Sequence, residues 1–190
     1  MELNESLWTK HQYDILDSFI YNIAYWKCSR EAYCKLHGIR SELWLRTIDN
    51  YLLRGITDWC MIFGVDSNEI HWKRVVPDAI GQKEFRGKLL SALRLDRTAW
   101  DKYWSQMTTF RNDYTAHRQI KPAHPTVPYM EHALQAAILY DEWIREKLNE
   151  LNVVMFDEPK LKDRYDWLMR TSKEPFTKMI PEGLDVNWFT

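Results

Sequence analysis

Residues 96–118 read DRTAWDKYWSQMTTFRNDYTAHR, and the spacing of their bulky side chains decides the fold class. With successive residues turned by about 100°, Trp100, Tyr103, Trp104, Met107, Phe110 and Tyr114 fall on one face of a helix. Such a stripe belongs to a helix packed inside a bundle. Asp96 or Thr98 is the candidate N-cap, and Pro122, Pro125 and Pro128 break the chain beyond about His117. Arg111 projects into the middle of the stripe. An exposed arginine belongs on the opposite side, so this one is either buried with a partner or set in an interface or cleft.

The flanking sequence repeats the helical period. A first helix is expected from about Glu5 to His37, with Leu16, Phe19, Ile20, Ile23 and Trp26 at three- and four-residue steps and Gly38 as its stop. A second opens at Ser41 and carries Trp44, Ile48, Tyr51, Trp59 and Ile62 to Phe63, where Gly64 ends it. VDSNEIHWKRVVPDAIG, residues 65–81, is rich in turn formers and is expected to be an irregular connection, followed by a short helix from about Gln82 to Leu93. A long amphipathic helix from about Met130 to Asn152 places Met130, Leu134, Ala137, Ile144, Leu148 and Leu151 on one face. That face also contains Asp141, a candidate partner for Arg111. A last helix around Leu161 to Thr171 and a polar tail complete the chain. No stretch alternates with period two for long enough to make a sheet. The expectation is an all-α bundle of about five to six helices over 1–156, with a helical extension over 157–190 packed on the same domain.

Composition agrees with this. Ten Trp, ten Tyr and seven Phe stand against only six Gly and seven Pro in 190 residues, which disfavours a turn-rich sandwich or barrel. The net charge of −1 excludes a uniformly basic nucleic-acid coat. It is, however, an average: residues 71–121 hold eleven Lys and Arg against five Asp and Glu, a balance of +6, which leaves −7 for the rest. Three cysteines, Cys28, Cys34 and Cys60, form neither an even set nor a C-x-x-C pair and read as free thiols of a reducing compartment. No apolar run approaches a membrane span and the N-terminus lacks the regions of a signal peptide, so a cytoplasmic protein without a membrane partner is expected. His and Cys do not cluster at ligand spacing, carboxylates do not pair in a two-metal pattern, and no Gly-rich phosphate loop is present. Neither a metal nor a cofactor is expected.

The run Arg111-Asn112-Asp113-Tyr114-Thr115-Ala116-His117-Arg118 places a cation, an amide, a carboxylate and an imidazole within two helical turns, inside the basic segment. On an ideal helix, Arg111 and His117 are separated by about 9 Å of rise and diverge by about 120°. Convergence on one atom therefore requires that the helix end or deform near Ala116, or that a second subunit bring its own copy across a two-fold axis. Asp113, four residues before His117, is placed to orient the imidazole or raise its pKa. Such a set suits metal-independent RNA cleavage. The ribose 2′-hydroxyl loses a proton and attacks the adjacent phosphorus, the leaving 5′-oxygen gains one, and an arginine stabilises the phosphorane.

Arg111-Asn112 followed by His117 resembles the Arg-x(4–6)-His motif of HEPN-domain proteins, in which a polar residue often follows the arginine. Asp58-Trp59-Cys60, Phe63-Gly64 and His71-Trp72-Lys73 are similar to the abortive-infection U branch of that family, and the resemblance covers roughly residues 10–152. It implies an all-α fold, a homodimer whose two motifs share one cleft, and an RNase used as a toxin or in phage defence; a third reading is that a cognate antitoxin protein modifies or blocks the motif. Carried over, Arg111 and His117 are the catalytic pair and Asn112 the polar accessory; beside them Asp113, Tyr114 and Arg118 are candidate supporting residues. His71, Lys73 and Arg74, basic with an interleaved aromatic, are candidate RNA contacts, and His124 and His132 flank the motif. The other reading is a non-catalytic helical dimer that binds a protein or a nucleotide, with Arg111 in an ion pair between helices or subunits.

Overall fold

The computed structural model describes residues 3–36, 41–116, 126–151 and 157–182. Among these residues every regular element is helical. A turn over Glu5–Leu7 and a π-helical turn over Trp8–Gln12 run into α1, Tyr13–Cys34; then follow α2, Glu42–Phe63, α3, Trp72–Val75, and α4, Ala79–Leu93. α5, Arg97–Arg111, continues as a π-helical turn over Asn112–Ala116, and α6, Met130–Glu150, and α7, Leu161–Glu182, complete the order. No helix among the described residues is long and apolar enough to cross a membrane.

The helix starts are set by capping side chains. Ser41 accepts from the Trp44 N–H at 3.4 Å, Asp78 from Gly81 at 2.7 Å and Asp96 from Ala99 at 2.7 Å. The end of α2 depends on Gly64, because a Cβ there would lie 2.2 Å from the Cys60 carbonyl oxygen. That close approach lets the Gly64 N–H close the helix on the same carbonyl at 3.0 Å.

The aromatic excess is mainly core. Trp8, Phe63, Trp72, Phe85, Tyr140 and Trp143 form a linked set of ring contacts with centroids 4.9–6.5 Å apart. Its buried hydroxyl is satisfied: Tyr140 donates to Gln12 Oε1 at 2.8 Å, and Gln12 in turn donates to the carbonyls of Ile70 and His71. The N-terminal π turn is thereby tied to the connection after α2. The α5 stripe behaves as its period requires, with Tyr103, Met107 and Phe110 buried and Trp100, Trp104 and Tyr114 packed on the same core.

Two segments differ from expectation. The connection after α2 contains a helical turn, α3, because Trp72, Val75 and Val76 are all core residues. α7 runs to Glu182 rather than stopping near Thr171. Phe176 and Ile180 are buried with Cys28 and Ala32 of α1, and that packing carries the helix past Pro175. Arg164 on Asp17, Lys173 on Glu31 and Lys27 on Tyr165 fasten α7 along α1.

Candidate functional site

At Arg111 the ordinary helix ends and the backbone widens into the π turn, with the Asn112 N–H directed to both the Thr108 and Thr109 carbonyls. Single π turns of this kind are rare and recur at functional sites. Over Asn112–Ala116 the backbone therefore departs from ideal α-helical geometry. Asn112 is exposed, Arg111 half-buried, Asp113 buried, and Tyr114 lies with its ring stacked on Phe110 at 4.4 Å. His117, Arg118 and His124 lie outside the described residues.

The Arg111 guanidinium lies close enough to Cys60 of α2 to favour its thiolate. Burial outweighs that influence and pushes the thiol up to about 12, so Cys60 stays protonated and is not a nucleophile. Asp58, Trp59 and Cys60, which carry part of the family resemblance, are all buried. Asp58 accepts from Ser18 Oγ at 2.7 Å and pairs with Arg54 at 2.9 Å.

Asp141 is committed elsewhere than to Arg111. Its Oδ1 receives Arg145 Nε at 2.8 Å, and its Oδ2 receives the Leu161 N–H at 3.0 Å, the first residue of α7. Periodicity placed Asp141 on the buried face correctly. It could not show that a residue twenty positions on in sequence would fold back to use it.

The second stretch is arranged differently. His71 is only 2% exposed. Its Nδ1 accepts from the Lys73 N–H at 3.3 Å and so caps α3, its Nε2 lies 3.4 Å from Asp66 Oδ1, and the ring also bonds the Gly64 backbone. Burial lowers its pKa to about 4 against the opposing pull of Asp66, so the ring is neutral at pH 7 and both its nitrogens are engaged. Lys73 pairs with Asp66, and exposed Arg74 donates to the Asp66 carbonyl at 3.1 Å. Of the three candidate RNA contacts, Arg74 is exposed, Lys73 is half-buried on Asp66, and His71 holds the loop together. His132 is half-buried edge-on to Tyr103 and Tyr129, and burial lowers its pKa.

Sequence reasoning did not find a half-open cavity of about 490 Å³ beside His71, whose lining includes Phe63, Arg86, Trp100 and Trp104. These residues come from α2, α4 and α5; Trp100 and Trp104 share a face of α5, but no local spacing connects them to Phe63 or Arg86. Arg86 directly after the buried Phe85 was the available signal, since it places a cation at the edge of a core face. No protein-family model, no curated protein and no solved structure matches the chain.

Proposed function

We propose that this chain is a HEPN-type, metal-independent endoribonuclease. In this reading it acts in the cytoplasm as a homodimer, and the Arg111, Asn112 and His117 sets of both subunits form one composite cleft. Its role is that of a toxin or abortive-infection effector in phage defence. The observation that carries the reading is Arg111-Asn112 standing where α5 gives way to the π turn. A half-buried guanidinium next to an exposed amide suits a phosphate: the first supplies a positioned charge and the second a donor to a phosphoryl oxygen. His117 then moves the proton of the 2′-hydroxyl or of the leaving 5′-oxygen, giving a 2′,3′-cyclic phosphate and a 5′-hydroxyl.

The test is incubation of the purified protein with RNA in excess EDTA, with the new ends identified chemically. Cleavage to cyclic phosphate ends, abolished by His117→Ala without loss of melting temperature, is expected. Cleavage that survives His117→Ala sinks the site.

A second reading, a non-catalytic helical dimer that binds a protein or nucleotide, is favoured by one fact: Arg111 is half-buried against α2 near Cys60. It requires Arg111→Ala to lower the melting temperature sharply while the wild type turns over no RNA.

A further inference from the structure

The cavity beside His71 is a built site distinct from Arg111. Its volume of about 490 Å³ falls in the range of roughly 300–1,000 Å³ that small ligands occupy. Part of its wall is flat and aromatic. Trp104 is fixed there, because its indole N–H donates to the carbonyls of Phe63 at 2.8 Å and Gly64 at 3.1 Å. Trp100 is held against Trp59 and Tyr103, with centroids 6.2 and 5.8 Å away. Both indoles remain half-buried, so each keeps ring surface open to the cavity side and to solvent.

The charged part of the lining is uneven. Lys73 is neutralised by Asp66, and Arg97 Nε by Asp101 at 2.8 Å. Arg86 lies within 4 Å of no carboxylate among the described residues, although its charge reaches Asp66, and its guanidinium is held over the Trp72 ring, 5.7 Å from the centroid. With His71 neutral, the cavity carries one positive charge in excess beside a preset aromatic wall.

We propose that this cavity binds a small ligand that joins a flat aromatic ring to a single negative charge, with the ring against Trp100 and Trp104 and the charge on Arg86. A ring of this kind stacks on indole without needing a particular hydrogen-bond pattern. Asp66 and Asp101 within the lining disfavour a second negative charge. A free aromatic carboxylic acid and a nucleotide phosphodiester share this chemistry. Trp104 and Arg111 lie seven residues apart on one strip of α5, about 10 Å along the axis, so occupancy of the cavity does not depend on the nuclease reading.

Titration calorimetry on the full chain tests this with four probes: naphthalene-1-carboxylate, adenosine 3′,5′-cyclic monophosphate, uncharged naphthalene-1-methanol, and acetate. At least one ring-bearing anion is expected to bind one to one, with the uncharged ring and the ringless anion at least tenfold weaker. Arg86→Gln is expected to weaken that binding at least tenfold. Ser105→Trp, which fills the cavity from an exposed lining position, is expected to block it, both variants melting as the wild type does. Binding of naphthalene-1-carboxylate assigns the site to free aromatic acids, and binding of the cyclic nucleotide alone assigns it to nucleotides. The proposal is overturned if neither ring anion binds, if the uncharged ring binds equally well, or if either variant binds like the wild type.

Discussion

His71-Trp72-Lys73-Arg74 and the run from Arg111 to Arg118 are built from the same materials, an imidazole, an aromatic ring and cations in the basic segment, but the fold treats residues 71–74 and 111–114 in different ways. In the first, the imidazole is 2% exposed and serves as a helix cap, bonded to the Lys73 N–H on one side and to Gly64 and Asp66 on the other. In the second, the helix loses its regular geometry right after Arg111, and an exposed amide follows a half-buried guanidinium. Histidine near positive charge is therefore no sign of chemistry in itself. What matters is whether a ring nitrogen is left for a substrate, and at position 71 neither is.

The largest effect that separates the two is on activity. His117→Ala is expected to reduce RNA cleavage by at least about 100-fold, the scale of a lost general acid or base, with unfolding unchanged. His71→Asn is expected to leave cleavage per folded molecule at the wild-type level. RNA turnover normalised to the folded fraction measures both, and an equal loss at the two positions would remove the contrast.

Next comes acid stability. The His71 pKa of about 4 in the folded chain lies below the ordinary value of 6.5. Above pH 6.5 the ring is neutral in both states and pH has no effect through it. As pH falls from 6.5 toward 4 the unfolded chain takes the proton first, so stability declines across that window, by on the order of 3 kcal/mol in all. Asn keeps a capping side chain at position 71 and removes the titration. Urea midpoints against pH should therefore slope in the wild type and flatten in His71→Asn between these values. Identical slopes would show that the imidazole is not held neutral.

A smaller loss is expected from Gly64→Ala. The added methyl meets the Cys60 carbonyl oxygen at 2.2 Å, and relief requires moving the end of α2, which holds both Trp104 and His71. Overpacking on this scale costs about 1–3 kcal/mol. The loss should appear in thermal melts together with a steeper acid slope, since the His71 ring would be less well enclosed. A neutral substitution would mean that the turn relaxes freely.

How much of this was legible in sequence follows from how local each signal is. Ser41, Gly64, Asp78 and Asp96 act on backbone groups within four residues, so Ser41, Gly64 and Asp96 mark their helix ends from spacing alone. The α5 stripe was legible for the same reason, down to the anomaly of Arg111. The end of α7 was not legible because the packing of Phe176 and Ile180 on α1, more than 140 residues away in sequence, carries the helix past Pro175. His71 misleads similarly: a buried cap and an RNA-contacting imidazole have the same neighbours in sequence and differ only in what folds over them. The cavity was invisible because Phe63, Arg86 and Trp104 meet only in three dimensions.

The pairing first suggested for Arg111 allows a final and finer separation of the two regions. Asp141 sits at 0% exposure with Arg145 Nε and the Leu161 N–H on its two oxygens, so Asp141→Ala breaks a buried pair and uncaps α7, at a cost of about 3–5 kcal/mol. Arg111 acts instead on α2 near Cys60. The two losses are expected to add, with an interaction energy below about 0.5 kcal/mol in a double-mutant cycle of Arg111→Ala and Asp141→Ala read by urea unfolding. A coupling above about 1 kcal/mol would place the guanidinium in the α6–α7 network and make it a structural ion pair. Additivity leaves Arg111 outside that network, with its charge at the head of the π turn.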